Sequence, residues 1–403
     1  MRGKRRALII GGSMSGLLAG IMLDRHGWEV DIFERVEQEL AGRGAGIVAQ
    51  AELIARLNGL GLDTGNLGVA MTTRKILDRA GHITATLECP QVLTAWERVY
   101  RVLRDAFAPQ RYHRGTALRA FEQSADGVLA HFSDGSTAAA DVLIGADGLR
   151  STVRQQCAPE VVPLYAGYVA WRALIAERVI PPTIHRQMFM DMTFCLPPGE
   201  QCLGYPVAGP NNELRQGQRR YNVVWYRPAD EAIELPALLT DPTGIAHSIS
   251  IPPPLIRAEP IAAMRAAAER LLAPQFRDIV RLIDEPILQP IYDLESPQLA
   301  FGRIAVIGDA AFVARPHVAA GVSKAADDAA ALAAALDGDD VAAGLRRFEA
   351  ERLPDNRKII ERARHLGAYL QATQTAEERA RSARHSIPQA VLAETAVLDF
   401  LHA

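Results

Sequence analysis

The sequence is poor in cysteine. The four cysteines among 403 residues form no CxxC pair, and no histidine stands near any of them at the spacing of a metal site. This scarcity argues against a structural zinc centre and against a disulfide framework, and it favours a reducing compartment. We therefore expect a cytoplasmic protein without a metal.

Long apolar runs and a strong net charge are also missing. The first apolar run is broken by Gly11-Gly12 and has no small-residue cleavage site, so it does not resemble a signal peptide, and no other run reaches transmembrane length. The formal net charge of −3 argues against a nucleic-acid partner. The basic start, MRGKRR, is interpreted as a solvated terminus. Neither a membrane nor a nucleic acid is expected as a partner.

The composition is that of a globular protein with a large core, since 49% of the residues are hydrophobic and 23% are charged. A chain of 403 residues exceeds one typical domain. We expect two domains, either consecutive or intertwined.

A dinucleotide-binding pattern begins the chain. Residues 5–10 are typical of a buried strand and 15–26 of a helix, with the loop Gly11-Gly12-Ser13-Met14-Ser15-Gly16 between them. A second strand ends at Glu34, 18 residues after Gly16. This order of strand, loop, helix, strand and acid predicts a βαβ unit that binds a dinucleotide.

Each part of this pattern has a physical role. Gly11 permits the tight turn, Gly16 allows the helix to pack closely, and the helix N-terminus offers N–H groups to phosphates. Glu34, followed by Arg35, would accept hydrogen bonds from a ribose. Ser13 stands where glycine is usual but is small enough for close approach. A glycine-rich turn in an ordinary α/β protein is the alternative, and the pattern does not choose between NAD and FAD.

Two later segments resemble a known family. DVLIGADGLRSTVR (141–154) and RIAVIGDAAFVARPHVAAG (303–321) resemble the Asp-Gly and Gly-Asp motifs of the FAD-dependent aromatic hydroxylases, which are single-component flavoprotein monooxygenases of the para-hydroxybenzoate hydroxylase fold. YAGYVAWRALI (165–175) and RPHVAAGVSKAADDA (315–329) are similar to the subgroup that hydroxylates dihydroxypyridines. The resemblance extends over roughly residues 5–370.

The resemblance implies an α/β fold with a discontinuous, Rossmann-like FAD-binding domain and a mostly antiparallel-sheet substrate domain. The FAD-binding domain would comprise 1–70, 98–165 and 296–375, and the substrate domain 71–97 and 166–295. Alternating runs and proline pairs within 160–295 independently favour an antiparallel sheet, and 259–283 favours one or two helices. Residues 376–403 are predicted to form a helical tail, whose charged part is interpreted as a solvated face.

The resemblance also implies which residues hold FAD. Asp309 would reach the ribityl chain, Arg43 the pyrophosphate or the flavin ring, and either Arg98 or Arg101 would touch the cofactor. Asp147 belongs to the Asp-Gly motif, where a structural role is expected. The remaining implied contacts are Gly11, Ser13, Met14, Ser15, Gly16, Glu34, Arg35, Arg154, Pro316, Ala320, Gly321 and Val322.

Three positions depart from the family pattern. Phe312, Ala319 and Ser323 replace its usual residues. The usual hydrogen bonds around the flavin ring are therefore in doubt, although a helix from about residue 322 should still direct its N-terminus at the ring. These departures leave a non-catalytic flavin-binding sensor as an alternative.

The expected reaction is hydroxylation of an electron-rich hydroxylated aromatic ring, with a hydroxypyridine favoured. NADH or NADPH would reduce FAD, and O2 would react to a flavin C4a-hydroperoxide that attacks the ring. A hydroxybenzoate, a salicylate or a purine-like compound is the alternative substrate. A monomer or a homodimer is expected.

Three residues are candidates for the chemistry. His317 is the first choice to assist deprotonation of the substrate hydroxyl, because histidine titrates near neutral pH. Tyr205 and Tyr226 would lie in the pocket sheet and bind the substrate. A backbone-bonded histidine and core tyrosines are the alternatives. Trp171 and Arg172 could contact flavin or ligand, or pack at a strand edge.

Overall fold

The computed structural model describes residues 4–40 and 46–401. Arg43 lies outside these residues. The strands run in chain order as β1 (Arg6–Ile10), β2 (Glu29–Glu34), β3 (Gly46–Ala49), β4 (Val69–Leu77), β5 (Ile83–Ala95), β6 (Tyr112–Arg114), β7 (Leu118–Gln123), β8 (Val128–Phe132), β9 (Thr137–Ala140), β10 (Val142–Gly145), β11 (Leu164–Ala176), β12 (Met192–Cys195), β13 (Gln201–Val207), β14 (Arg220–Pro228), β15 (Ile287–Glu295), β16 (Ala300–Phe301), β17 (Ile304–Val306) and β18 (Phe312–Val313).

The α-helices of the described residues differ widely in length. They are α1 (Met14–Arg25), α2 (Ala51–Gly59), α3 (Trp96–Ala106), α4 (Thr152–Cys157), α5 (Pro182–Met188), α6 (Glu234–Leu239), α7 (Ala258–Leu271), α8 (Pro274–Arg281), α9 (Gly321–Ala335), α10 (Val341–Gly367), α11 (Ala376–His385) and α12 (Pro388–Glu394).

A six-stranded sheet brings the two ends of the chain together. Its order within the described residues is β16-β17-β10-β1-β2-β6, and every pair is parallel except β16 with β17. The central strand β1 is buried from Ala7 to Ile10, as expected for a parallel strand that is covered on both faces. Helices α1 and α9 pack against one another. The N-terminal βαβ unit and the late Gly-Asp segment are thus neighbours.

In the segment before the Asp-Gly motif, β8 and β9 form an antiparallel hairpin around the turn at residues 133–136. The second of its two strand runs divides at Asp141: β9 pairs with β8 in a three-stranded sheet, whereas β10 joins the six-stranded sheet. The Asp141 carboxylate accepts a hydrogen bond from the backbone N–H of Arg6 at 2.7 Å, which fixes the point of transfer. A continuous apolar pattern does not reveal such a change of partner.

A nine-stranded sheet forms the second layer of the molecule. Its order is β18-β15-β11-β14-β13-β12-β4-β5-β3, antiparallel apart from β12 with β4. Trp171, Trp225 and Phe276 pack together on the face that α7 and α8 cover. Tyr205 and Tyr226 pack on the opposite face, as strand alternation requires. Strand β3 belongs to this sheet, so the predicted boundary at residue 70 does not follow the strand pairing.

The C-terminal residues are not simply a solvated tail. Helix α11 begins with a capping box between Thr375 and Glu378, and its charged side chains are largely exposed. Helix α12, in contrast, buries Val391 and Leu392 in the same hydrophobic cluster as Tyr226. The apolar spacing of this short helix, beyond the charged stretch, is what the sequence interpretation overlooked.

Two further observations concern membrane-spanning helices and metal sites. No helix within the described ranges is long and apolar enough to cross a membrane. The four cysteines are free, and residues 4–40 and 46–401 contain no cluster of side chains suited to a metal ion.

Candidate active site

A first cavity of about 260 Å³ lies at the carboxyl ends of β1, β2 and β10. This edge is where doubly wound sheets bind ligands. The cavity is lined by residues of the N-terminal loop, of the end of β2 and of the Asp-Gly motif, among them Gly11, Ser13, Glu34, Arg35 and Asp147.

The glycines of the first loop are required by their surroundings. Gly11 has φ +106°, and a Cβ placed there would overlap the carbonyl of Ala146. A Cβ on Gly16 would overlap the carbonyl oxygen of Gly11, so only glycine lets α1 approach the turn. Met14 is buried in the first turn of α1. The backbone N–H groups at this helix start are therefore held close to the cavity.

Glu34 is held in a fixed orientation. Its carboxylate accepts hydrogen bonds from the backbone N–H groups of Gly12 and Val36, each at 2.9 Å. Tyr112 donates to the Gly12 carbonyl at 2.8 Å and so fixes the other side of the turn. A carboxylate oxygen has capacity for more than one donor, which leaves Glu34 able to accept from a ribose.

Asp147 has a structural role together with an open acceptor. Its Oδ2 accepts hydrogen bonds from the backbone N–H groups of Thr152 at 2.6 Å and Val153 at 3.3 Å, at the start of α4. Its Oδ1 is buried without a hydrogen-bond partner among the described residues. Burial raises the pKa of this carboxyl group.

The late Gly-Asp turn contacts the first loop. Gly308 has φ +58°, and a Cβ there would overlap Ser15 Oγ. The backbone N–H of Ile307 donates to the Gly145 carbonyl at 2.9 Å, which ties the same turn to the Asp-Gly strand. The three sequence motifs thus meet at one edge of the six-stranded sheet.

A second cavity of about 300 Å³ lies between the nine-stranded sheet and the start of α9. Asp309 stands on one side, with its side chain exposed. The N-terminus of α9 contributes the residues from Ala319 to Val322. A 15-residue helix directed at this cavity favours negative charge in it. The remaining walls include Arg172, Met192, Tyr205, Tyr226, Gln289, Pro316, His317, Thr395 and Ala396.

His317 differs from the prediction that it titrates near neutral pH. It is 2% exposed, and its Nε2 is 2.9 Å from the hydroxyl of Tyr168. Burial, together with the positive charge of Arg315, lowers the pKa of His317 to about 3. Arg315 is itself fixed by Asp293 at 2.9 Å. His317 is therefore a neutral side chain in the cavity wall.

The predicted pocket tyrosines do line this cavity. Tyr205 donates to the Gly46 carbonyl at 2.9 Å, and burial raises its pKa to about 12. The ring of Tyr226 is 4.5 Å from the ring of His317, and burial raises the pKa of Tyr226 as well. Both hydroxyls are neutral at physiological pH.

Arg172 lies in the same cavity, whereas Trp171 points to the other face of the sheet. The guanidinium donates to Gln289 Oε1 at 2.9 Å and to the Gly46 carbonyl at 3.2 Å. Its Nε is buried without a partner among the described residues. Neutral groups thus hold this cation, and no carboxylate in residues 4–40 or 46–401 forms an ion pair with it.

Two of the predicted cofactor arginines, Arg98 and Arg101, line neither of these cavities. They line a separate space of about 150 Å³, and Arg101 is ion-paired with Glu97 at 2.8 Å one helical turn away.

Arg154 also differs from its predicted role. It is 1% exposed and donates to the carbonyls of Leu149, Val161 and Ala310 at 2.7–3.1 Å. Its guanidinium is occupied by these bonds, so it positions the turn that contains Asp309 rather than contacting a ligand.

Other wall residues gave no signal in the sequence. Gln289 lies on β15, and Thr395 and Ala396 follow α12 near the C-terminus. No motif contains them, and their place in the cavity depends on strand order and on the return of the chain. Only the mostly apolar character of the last segment could have indicated burial.

The described residues fit FAD. The first cavity offers glycine-lined backbone and a ribose acceptor, and the turn Gly308-Asp309 connects it through Ser15 to the second cavity. In the second cavity the N-terminus of α9 provides a favourable field for a reduced flavin. One long cofactor would extend from the first cavity into the second.

Comparison with known proteins agrees with this geometry. A family model described as FAD binding domain-like matches residues 165–293. The chain is 32% identical over 368 residues to 2,6-dihydroxypyridine 3-monooxygenase of Paenarthrobacter nicotinovorans, which covers 91% of each chain. It is 28% identical over 380 residues to 3-amino-4-hydroxybenzoate 2-monooxygenase of Streptomyces cremeus, covering 90% of this chain and 86% of that one.

A solved structure supports the same assignment. 2,6-dihydroxypyridine-3-hydroxylase from Arthrobacter nicotinovorans superposes with a TM-score of 0.86 at 31% identity, covering 92% of this chain and 94% of that one. The predicted α/β fold is confirmed, and the cofactor is FAD. The chain belongs to the FAD-dependent monooxygenases of the para-hydroxybenzoate hydroxylase fold.

Proposed function

We propose that this enzyme hydroxylates a small, electron-rich hydroxypyridine, with NADH or NADPH as reductant and O2 as oxidant. The observation that supports the substrate class is the cation of Arg172 in the second cavity. Neutral acceptors hold it, and no carboxylate of the described residues pairs with it. A substrate oxygen that bears negative charge would complete this site.

The flavin supplies the hydride acceptance and the oxygen activation when it is bound. The chain's own residues bind and orient the ring. The aromatic side chains of Tyr205 and Tyr226 provide an apolar wall against which a substrate ring can pack.

Deprotonation of the substrate hydroxyl depends on charge rather than on a side-chain base. The low pKa of His317 makes it a poor base, and the raised pKa values of Tyr205 and Tyr226 keep them protonated. Arg172 lowers the free energy of a ring oxyanion and thereby lowers the substrate's pKa. An ionised hydroxyl makes the ring a stronger nucleophile toward electrophilic oxygen.

The test follows the visible absorption of the FAD-loaded protein during addition of NADH or NADPH. Flavin bleaching is compared without and with 2,6-dihydroxypyridine, a hydroxybenzoate, a salicylate and uric acid. We expect the hydroxypyridine to accelerate reduction and to yield a hydroxylated product. Acceleration by another ring would retain the monooxygenase and replace the substrate. Acceleration by none would favour a flavin-binding sensor.

The variant Arg172→Met tests the role of the cation. We expect KM for the ring to rise about tenfold or more, which corresponds to about 1.4 kcal/mol, with little change in FAD affinity. The pH dependence should also shift upward, because the substrate hydroxyl would ionise less readily. An unchanged KM and pH profile would contradict the assignment.

A further inference from the structure

The wall of the second cavity includes a segment from the end of the chain. Thr395 and Ala396 line it together with His317, Tyr226 and Arg172. Val391, Leu392 and Ala396 share a hydrophobic cluster with Tyr226. Leu398 packs in a neighbouring hydrophobic cluster with Val318 and Ala320, which directly precede α9. The segment 391–398, here called the C-terminal wall, therefore covers one side of the cavity.

The backbone of the C-terminal wall is held by side chains from distant strands. Arg74 on β4 is 0% exposed, and its Nη1 donates to the carbonyls of Leu392 and Thr395, each at 2.6 Å. Its Nη2 donates to Gln91 Oε1 at 2.6 Å. Gln91 in turn donates to the Ala396 carbonyl at 2.8 Å, as Gln50 does at 3.1 Å.

Arg74 is a buried cation that no carboxylate of the described residues neutralises. Burial lowers its pKa. The carbonyls that it binds lie at the C-terminal end of α12, where the helix dipole is negative. If the segment moves away, Arg74 Nη1 loses both of its carbonyl partners, so Arg74 and the C-terminal wall stabilise one another.

The C-terminal wall is also connected directly to the cavity loop. Ala396 has φ +56°, and its backbone N–H donates to the His317 carbonyl at 2.7 Å. The left-handed conformation of Ala396 turns the chain at the cavity. Displacement of the wall would expose the cavity and release the loop that contains His317.

We propose that the C-terminal wall closes the cavity over the flavin and that Arg74 is the positioning residue that holds it closed. This inference rests on the proposed function in one respect, since it takes the second cavity as the place of the flavin ring and its substrate. A monooxygenase needs such closure because water and solvent access divert activated oxygen from the substrate.

The test compares Arg74→Met with a matched control, Arg265→Met, in FAD-loaded full-length protein. Arg265 also donates to a main-chain carbonyl, that of Ile283 at 2.7 Å, but on α7 and outside the cavity. Gln91→Leu is a second variant, in case loss of Arg74 prevents folding. One readout is hydrogen exchange of peptides from 388–401, and the other is acrylamide quenching of the bound flavin's fluorescence.

We expect Arg74→Met and Gln91→Leu to speed exchange in 388–401 by about tenfold or more, equivalent to about 1.4 kcal/mol, and to increase quenching. Arg265→Met should change neither readout. Unchanged exchange would overturn the proposal, and so would faster exchange with unchanged quenching. Neither readout requires a substrate, so failure of the hydroxypyridine assignment is recognised separately, by unstimulated flavin reduction in the wild type.

With a ring that the wild type hydroxylates, the same variants should release more H2O2 per NAD(P)H oxidised. The ratio of hydroxylated product to reductant should fall, while FAD affinity stays within about twofold of the wild type, a difference of about 0.4 kcal/mol. A variant with faster exchange and full coupling would overturn the role of the wall in closure.

Discussion

At the scale of single residues, the site depends on a few positions where the backbone leaves no room for a side chain. Gly308 combines a left-handed φ with contact to Ser15, so two separate reasons require glycine there. Gly135, in the turn between β8 and β9, has φ +85° but open space around it. A comparison of alanine substitutions at Gly308 and Gly135 therefore distinguishes the cost of backbone strain from the cost of steric overlap.

We expect Gly308→Ala to destabilise the protein by more than Gly135→Ala. The backbone term costs about 1–2 kcal/mol at either position, and overlap with Ser15 adds to it only at Gly308. Gly308→Ala should also weaken FAD binding, because it separates the two loops. Urea unfolding and FAD titration check both effects. Equal stability losses would show that Ser15 yields without cost.

His317 gives stability a pH dependence. Its pKa is about 3 in the folded state because burial and Arg315 disfavour its charged form. Its unfolded value is near the ordinary 6.5, so between these values the unfolded state binds more protons and stability falls as pH falls.

We expect the wild type to lose about 2 kcal/mol more than His317→Gln between pH 7 and pH 5. Urea unfolding of both proteins at the two pH values measures this difference. If the two proteins lose the same free energy, His317 keeps its ordinary pKa in the folded state and could act as the base after all.

At the scale of secondary-structure elements, a buried charged cluster joins α9, α10 and the Gly-Asp turn. Asp328 accepts hydrogen bonds from Arg352 at 3.0 Å, from Asn356 at 3.1 Å and from the Gly308 backbone N–H at 3.2 Å. Lys324 Nζ lies 3.6 Å from the same carboxylate. The start of α9 is thereby fixed relative to the turn that presents Asp309.

We expect Asp328→Asn to destabilise the protein by about 3–5 kcal/mol, because it leaves Lys324 buried without this carboxylate and leaves Arg352 paired only with the half-exposed Asp355. The control is Asp278→Asn, which removes an exposed pair with Arg281 and should cost at most about 1 kcal/mol. Thermal and urea unfolding give both values. A small effect in the buried cluster would contradict this role of Asp328.

At the scale of the whole molecule, the cofactor connects two sheets that have no strand in common among the described residues. The first cavity belongs to the six-stranded sheet, and the second lies between α9 and the nine-stranded sheet. A ligand that binds only the folded state raises stability in proportion to the logarithm of its concentration.

We expect removal of FAD to lower the unfolding free energy by about 2.7 kcal/mol relative to protein with free FAD at 100 times its dissociation constant. ADP, which can occupy only the first cavity, should restore less than FAD does. Thermal unfolding of the stripped protein with each ligand is the measurement. Equal stabilisation by ADP and FAD would mean that the second cavity contributes nothing to cofactor binding.

Much of the fold followed from local patterns. The order of β1, the glycine loop, α1, β2 and Glu34 is encoded within one short stretch, because a parallel strand, a tight turn and a helix each have local rules. The helices within 259–283 and the antiparallel character of 160–295 were also apparent. Family resemblance, not periodicity, joined the three motifs to one cofactor.

The sequence by itself determined the dinucleotide-binding βαβ unit, its parallel strands and the loop that contains His317, since these depend on residue types at short spacing, while the choice of FAD came from family resemblance. Tertiary structure alone decided that His317 is neutral, that Arg154 binds carbonyls, and that Thr395 and Ala396 reach the cavity. Burial, the partners of a charge and the return of a distant segment depend on long-range packing, which no local pattern contains.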